Sequence, residues 1–187
     1  MASPVAVCYS YEDLDWLRDN LGMAHLELDP WGSLIVSPAT DEHDIAQAVL
    51  DNQAVDQLHL PAGCVRANGF AWIVPGGSGY LNMPDLAVIA PGSQRVGGWH
   101  LEPPPLLVSE IASPSTRKAD RGRKLSDYRL GGAGLYLLVD LPGLAPVDDV
   151  TFEAHDFGTN RKFTATGAID LTVGGRPVRF DLRSLEF

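Results

Sequence analysis

The apolar run Leu135-Tyr-Leu-Leu-Val-Asp140 places the strongest constraint on the fold of this chain. A strand with one face in water alternates apolar and polar side chains, and this run does not alternate. We therefore predict a strand that other elements cover on both faces. A chain of 187 residues, 45% of them hydrophobic, has the length and composition of a single soluble domain that contains such a strand.

The remaining pattern predicts a mixed α/β (α+β) chain. Three helices are expected: one that ends at Gly22, one with Thr40 or Asp41 as its cap, and one over Ser115–Leu130. Apolar runs between turn residues predict strands at 25–28, 33–36, Val55–Leu60, Phe70–Val74, Leu86–Ile89 and Leu106–Ile111. The tail predicts a β meander with strands at Val150–Ala154, Lys162–Ala165, Ile169–Val173 and Val178–Leu182.

The formal net charge of −10 argues by itself against a protein that coats DNA through bulk positive charge. That charge is unevenly distributed, because residues 1–60 hold eleven acids and one base, and residues 61–187 hold thirteen of each. A basic cluster lies on the third predicted helix, at Arg117, Lys118, Arg121, Arg123, Lys124 and Arg129. The acidic total therefore does not describe every surface of the protein.

The cysteines and the hydropathy bear on localisation. Cys8 and Cys64 lack metal-type spacing, and free thiols are the simplest interpretation. No apolar run reaches the roughly 18 residues that a membrane span needs, and the first residues lack the basic start of a secretory signal. We expect a cytoplasmic protein with no membrane partner.

Three polar features of the sequence combine into a candidate metal site. Asp85 follows a proline at the start of a predicted strand, and Glu110 lies near the end of another. Asp120, Lys124 and Tyr128 follow at i, i+4, i+8 spacing, which places them on nearly one helix face. Two carboxylates from neighbouring strands with a lysine beside them suit a hard cation such as Mg²⁺ and a general base or charge stabiliser.

Each of these residues also has an ordinary structural interpretation. An aspartate after a proline is commonly a turn residue, and an isolated glutamate in an apolar strand can face solvent. An Asp–Lys pair at i, i+4 is commonly an exposed helix pair. Residue spacing alone therefore leaves the reaction open.

The segment Ser109–Asp140 resembles the central block of the Uma-two family, whose members are classed as restriction endonucleases of the PD-(D/E)XK nuclease superfamily. The match consists of Ser-Glu-Ile-Ala-Ser-Pro-Ser-Thr-Arg at 109–117, the helix with its Asp, Lys and Tyr, and a strand that ends in Val-Asp. Pro84-Asp85 matches as well, and so does Leu26-Glu-Leu-Asp-Pro-Trp-Gly-Ser-Leu-Ile-Val-Ser-Pro followed by His43. The resemblance covers roughly residues 24–187.

The resemblance implies a restriction-endonuclease-like fold, with a mixed β-sheet core flanked by helices, additional β-hairpins and a C-terminal β meander. We expect a single domain over residues 1–187. Its parts are an N-terminal helical segment at 1–22, a nuclease core at 23–140 and the β meander at 141–187.

The resemblance also implies roles for individual residues. Asp85 and Glu110 correspond to the metal-binding carboxylates, and the backbone carbonyl of Ile111 to a further ligand. The superfamily's lysine lies two residues after the glutamate, where this chain has Ala112. Lys124 is therefore the candidate for that lysine.

Four further residues are candidates to support this site. Asp120 and Tyr128 lie on the helix of the candidate lysine. Glu42 or His43, at the start of the second helix, is a candidate to complete the site. His43 has the stronger family match, and a helix-capping role is an equally good interpretation of it.

These expectations describe a Mg²⁺- or Mn²⁺-dependent phosphodiester hydrolase, an endonuclease that acts on nucleic acid, with DNA as the expected substrate. Its lysine would orient the attacking water or offset developing negative charge. Candidates for phosphate contacts are Arg117, Lys118, Arg121 and Arg123. A solvated helix face is the alternative for some of them, because one helix cannot aim all four at one groove.

Two other hypotheses stay open. The net charge and Ala112 favour a nuclease-fold protein that binds nucleic acid or a partner without cutting it. The acidic first third of the chain could dock a basic partner or another subunit under either hypothesis. Cutting both strands of a duplex usually takes two sites, which favours a homodimer.

Overall fold

A mixed six-stranded sheet organises the computed structural model, which describes residues 8–10, 13–14, 16–17, 20, 26–29, 31–36, 40–61, 64–67, 72–73, 81–96, 100–113, 116–141 and 150–183. The strands within these residues are β1 Leu26–Leu28, β2 Leu34–Val36, β3 Val65–Ala67, β4 Trp72–Ile73, β5 Leu81–Asn82, β6 Leu86–Val88, β7 Gln94–Val96, β8 His100–Glu102, β9 Leu107–Ala112, β10 Leu135–Asp140, β11 Thr151–Asp156, β12 Arg161–Thr166, β13 Ala168–Val173 and β14 Arg176–Asp181. The main sheet has the order β12-β11-β10-β9-β6-β3. Its β9–β10 pair is parallel and its other four pairs are antiparallel.

Strand β10 is covered on both faces, as its apolar run predicts. Leu135, Leu137 and Val139 belong to the core cluster on one side of the sheet, and Tyr136 and Leu138 belong to the cluster on the other. The parallel neighbour β9 is buried along its whole length. A buried strand pair at the centre of the sheet gives rigid positions for any polar side chain that it carries.

Helix α1 spans Asp41–Leu58 and covers one face of the main sheet. The Thr40 side chain accepts a hydrogen bond from the His43 backbone N–H, so Thr40 is the N-cap. The predicted strand at Val55–Leu60 is wrong, because residues up to Leu58 continue the helix. The physical reason is the spacing of the buried residues, which recur every four positions at Ala46, Leu50, Ala54 and Leu58.

The second helical segment covers the opposite face of the sheet and is continuous over residues 117–130. It consists of α2 at Arg117–Ala119, a π-turn at Asp120–Lys124 and α3 at Leu125–Leu130. The helix predicted over Ser115–Leu130 is therefore confirmed from Arg117 onward, and residue 115 lies outside the described residues. The π-turn has no counterpart in the prediction.

The other strands form smaller sheets around this core. A four-stranded antiparallel sheet has the order β2-β1-β5-β4, and β7–β8 and β13–β14 are hairpins. All four strands predicted in the tail are present: β11 and β12 extend the main sheet, and the β13–β14 hairpin packs on α1. Side-chain amides of Gln53 and Gln57 on α1 hydrogen-bond the main chain of β14.

Several predictions lie wholly or partly outside the described residues. In the N-terminal segment 1–22, the residues described as helical are Asp13, Leu14, Trp16, Leu17 and Asn20. Only residues 72–73 of the strand predicted over 70–74 are described, and the organisation of 1–187 as one domain stays a prediction. In the described part of the chain, no helix combines the length and the apolar character that a membrane crossing requires.

Candidate active site

Asp85 and Glu110 meet on neighbouring strands of the main sheet. Asp85 directly precedes β6, whose first residue Leu86 pairs with Ser109 of β9, so Asp85 comes beside Glu110. Both carboxylates are buried. The structure thus brings together the two acids that the sequence pattern singled out.

The Asp85 side chain is held at both oxygens. The Ile111 backbone N–H donates to its Oδ2 at 2.7 Å, and His43 Nε2 lies 3.2 Å from its Oδ1. The Gln47 side-chain amide donates to the main-chain carbonyl of Asp85. Burial works to lower the pKa of His43, but its contacts with Asp85 and Asp44 outweigh burial and raise that pKa. The protonated imidazole is therefore the form that the Asp85 carboxylate favours.

Glu110 also has a partner at each oxygen. The Tyr128 hydroxyl donates to Oε1 at 2.5 Å, and Lys124 Nζ lies 2.9 Å from Oε2. Burial raises the pKa of Glu110 well above its ordinary value, and the Lys124 charge opposes that rise. Burial and the nearby Glu110 charge likewise raise the pKa of Tyr128, so its phenol stays a hydrogen-bond donor.

Lys124 is buried among three carboxylates. Its Nζ lies 2.9 Å from Glu110, 3.0 Å from Glu27 and 3.6 Å from Asp120. Burial works to lower the pKa of this lysine, but the surrounding carboxylates raise it far above its ordinary value. A lysine held in this way is a fixed positive charge and not a proton acceptor at neutral pH. Of the two chemical roles open to it, charge stabilisation is the one that the environment supports.

Asp120 is the least satisfied of the buried acids. It is 1% exposed, and neither of its carboxylate oxygens makes a hydrogen bond of good geometry with the described residues. Burial raises the pKa of Asp120, and the Lys124 ammonium and the nearby Thr116 side chain oppose that rise. Carboxylate oxygens buried without donors are suited to receive a cation or water that reaches them.

Glu27 is a site residue that the sequence analysis missed. It lies in β1, is buried, and accepts the Met83 backbone N–H at 3.0 Å while it contacts Lys124. A glutamate between Leu26 and Leu28 has the pattern of a strand with one polar face, but here all three residues are buried. The match of the segment that begins Leu26-Glu-Leu to the family was the sequence signal that could have identified Glu27.

The helical segment that carries Asp120, Lys124 and Tyr128 is irregular at the site. All three side chains are buried, as the i, i+4, i+8 spacing predicts for one face. Residues Asp120–Lys124 nevertheless form a π-turn, and such turns occur frequently at functional sites. Both Asp120 and Lys124, the first and last residues of that turn, line the site.

A cavity of about 50 Å³ lies between these groups. Its walls include four carboxylates and one ammonium, from Glu27, Asp85, Glu110, Asp120 and Lys124. This excess of negative charge favours a cation, and the volume holds a few water molecules.

The donor set fits a magnesium-like ion that is held by few protein ligands and keeps most of its water. Among the described residues, no three His, Cys, Asp or Glu side chains are arranged to hold a metal ion by themselves. Mg²⁺ is commonly bound by one or two carboxylates and keeps several waters for contact with a substrate phosphate. Asp85, Glu110 and the Ile111 main chain match that simpler donor set.

A family model described as "Uma2: Putative restriction endonuclease" matches residues 11–156. The chain belongs to the Uma2 (Uma-two) family. This result confirms the resemblance carried by the block at Ser109–Asp140. None of the curated proteins compared with the chain matches it significantly.

A solved structure supports the fold of this Uma2 chain. A putative nuclease belonging to DUF820 from Anabaena variabilis ATCC 29413 superposes with a TM-score of 0.53 at 17% sequence identity. The alignment covers 76% of this chain and 76% of that one. The predicted class, a mixed α/β nuclease fold with flanking helices, is thereby confirmed.

The basic side chains of the second helical segment point to different places. Arg117 and Arg121 both pair with Asp140, at 2.5 and 2.6 Å. Arg123 instead turns inward, donates to Asn82 and lies 3.3 Å from Asp127 Oδ2. Lys118 is exposed. The expectation that one helix cannot aim all four at one groove is therefore correct.

The two candidates at the start of α1 also separate. His43 contacts Asp85 in the cavity wall. Glu42 lies in the first turn, where hydrogen bonds from its own backbone N–H and from the Thr40 side chain lower its pKa. The structure thus places His43 beside the candidate site, whereas Glu42 makes its hydrogen bonds within the first turn of α1.

Proposed function

We propose that this Uma2 protein is a metal-dependent phosphodiester hydrolase, an endonuclease that acts on DNA. The observation that carries the proposal is the convergence of Asp85 and Glu110, from adjacent strands, with the Lys124 ammonium in one acidic cavity. Membership in a family described as restriction endonucleases supports the same reaction class. The solved structure described as a "putative nuclease" has a similar fold, which agrees with this reaction class.

Asp85, Glu110 and the Ile111 carbonyl would hold Mg²⁺ or Mn²⁺. Such an ion, when bound, lowers the pKa of a coordinated water and offsets charge on a phosphoryl oxygen. The unsatisfied Asp120 oxygens and the negative excess of the cavity are the features that favour a cation here.

The residues of the chain itself perform the positioning and the electrostatic work. Lys124 supplies a fixed positive charge beside the position of the reacting phosphate, where developing negative charge needs compensation. Glu27 of β1 holds the lysine at 3.0 Å. Tyr128 orients Glu110 through its hydroxyl, and His43 orients Asp85.

The test is nicking of supercoiled plasmid with Mg²⁺ or Mn²⁺ by the wild type and by Asp85→Asn and Glu110→Gln. We expect each substitution to lower the rate at least about 100-fold. Asp170→Asn is the matched control, because this exposed aspartate lies in the separate β13–β14 hairpin and does not line the cavity. Cleavage that survives both site substitutions would assign the activity to another site or to a contaminant.

Binding without cutting is the second candidate function. The alanine at position 112, where the superfamily has its lysine, favours it. Calorimetric titration with Mg²⁺ and Mn²⁺ separates the two functions, because a binding protein needs no divalent ion at this cavity. No uptake at millimolar metal, together with intact plasmid, would favour the binding function.

We further propose that the cutting form is a homodimer, since a single active site cuts one strand at a time. Light scattering during gel filtration measures the mass against the 20.1 kDa of one chain. A monomer that makes double-strand breaks in a single encounter would contradict this proposal.

A further inference from the structure

The sheet face that carries Glu110 continues sideways beyond the second helical segment. Glu110 pairs with Leu138 of β10, Leu138 with Glu153 of β11, and Glu153 with Thr164 of β12. Directly paired residues lie on the same face of a sheet. One row of side chains therefore leads from the candidate site to the edge strand.

An open groove of about 280 Å³ lies along this face. Its lining includes Arg121, Asp140, Thr151, Glu153 and Thr164. Neighbouring strands are about 4.8 Å apart, so the three strand steps from Glu110 to Thr164 span roughly 14 Å. The groove and the acidic cavity therefore lie on the same face of the sheet, with the buried Leu138 between them.

The charges in the groove differ from the acidic average of the chain. Asp140 pairs with both Arg117 and Arg121, which leaves that group with one positive charge in excess. Glu153 is balanced by Lys162, 3.0 Å away. The two arginine side chains are still 40% and 38% exposed, and a guanidinium has five donors to share.

Hydroxyl groups line the far side of the groove. Thr151, Thr164 and Thr166 are exposed and lie on the same sheet face as Asp140 and Glu153. Threonine hydroxyls and arginine guanidinium groups are common donors to phosphate oxygens, which they contact without reading the sequence.

We propose that this groove binds the sugar–phosphate backbone of the substrate strand on one side of the scissile phosphate. The inference rests on the proposed function and names the surface that the flanking nucleotides occupy. The sheet face shared with Glu110, the local positive charge and the run of hydroxyl donors support this assignment. The groove positions the strand, and the cavity performs the cleavage.

The test measures DNA binding by fluorescence anisotropy in the Asp85→Asn background with Mg²⁺ present, so that no strand is cut. Labelled single strands and duplexes of about 6 and about 20 nucleotides are compared. Arg121→Ala is expected to raise the Kd for the long DNA about tenfold. A plot of the logarithm of the binding constant against log salt has a negative slope. Its magnitude should decrease by about 0.7 for single strands or about 0.9 for duplexes, which corresponds to the loss of one phosphate contact.

Thr164→Val combined with Thr166→Val removes hydroxyls at nearly constant shape on exposed positions. We expect a threefold or larger rise in Kd with the long DNA and a smaller rise with the short DNA. The matched controls are Arg129→Ala, from the same helical segment, and Thr172→Val, from the separate β13–β14 hairpin. Circular dichroism checks that each variant is folded.

The outcomes separate the two proposals. If the groove variants weaken binding to long DNA more strongly than the control variants, the result supports the proposed groove. Variants that bind like the controls, in a protein whose wild type binds and cuts DNA, overturn the groove and leave the proposed function standing. A wild type that neither binds nor cuts DNA overturns the proposed function and the groove with it.

Discussion

Replacing the buried Asp120 with asparagine should make the protein more stable. Asp120 is 1% exposed, its oxygens lack well-formed hydrogen bonds, and Lys124 at 3.6 Å is its nearest opposite charge. Leaving a buried polar group unsatisfied costs about 1–3 kcal/mol, and the cost is larger for a charged group than for a neutral amide. Asparagine has nearly the same shape without the charge, and Lys124 keeps its contacts to Glu27 and Glu110. We therefore expect Asp120→Asn to gain about 1–2 kcal/mol in the free energy of unfolding at pH 7.

The same helical segment provides a control of opposite sign. Asp127 is 2% exposed, and its Oδ2 accepts from Asn82 and lies 3.3 Å from Arg123 Nη1. Asp127→Asn removes a charged acceptor from satisfied donors, so it should cost about 1.5–3 kcal/mol. Urea unfolding in EDTA, followed by tryptophan fluorescence, measures both variants. In thermal unfolding, the gain for Asp120→Asn corresponds to roughly 2–8 °C in Tm.

The pH dependence identifies the cause of the gain. The pKa of Asp120 is raised on folding, so the folded state holds its proton more tightly than the unfolded state. The penalty of the charged form is complete above the folded pKa and disappears as the pH falls through it. The advantage of Asp120→Asn should therefore shrink on acidification. A variant that is less stable than wild type at pH 7, or an advantage that grows in acid, would refute the reasoning.

Three further predictions concern the same cavity. Lys124→Met leaves Glu110 and its neighbours without their cation and should cost about 3–5 kcal/mol in urea unfolding at pH 7; a loss below 1 kcal/mol would contradict the burial of that charge cluster. Tyr128→Phe removes the donor to Glu110 and should lower the free energy of unfolding by about 1.5–3 kcal/mol. It should also lower kcat more than it changes KM, and steady-state nicking rates that show an unchanged kcat would contradict this. Because Asp85 holds the pKa of His43 above 6.5, the stabilisation from their pair is complete below that pH and is lost as the pH rises through the folded pKa. Thermal unfolding of His43→Gln should therefore differ from wild type most near pH 5 and little near pH 9, and a constant difference would argue against the ion pair.

Local pattern predicted the parts of this molecule that local physics determines. The apolar run Leu135–Asp140 needs cover on both faces wherever it lies, and the four-residue spacing of Asp120, Lys124 and Tyr128 follows from helix geometry. The block at Ser109–Asp140 identified the family, and with it the acids that the sheet brings together. These features needed no knowledge of distant contacts.

The missed features depend on partners far away in the chain. The end of α1 was assigned to a strand, although Gln57 is held there by Arg179. Glu27 enters the site only because Met83 and Lys124 are folded against it. The π-turn lacks a local marker, since it changes the hydrogen-bond pattern without interrupting the helix.

The contact between α1 and β14 has a consequence for assembly that follows from two repeat lengths. Four residues of helix advance about 6.0 Å and two residues of strand about 6.7 Å, so residues at i and i+4 can match main-chain groups at j and j+2. Gln53 exchanges two hydrogen bonds with the main chain of Asp181, and Gln57 exchanges two with that of Arg179. Two glutamines thus occupy main-chain groups that an edge strand would otherwise offer to another chain. Helix α1 closes this edge to strand addition, which directs any pairing of two copies to other surfaces of the protein.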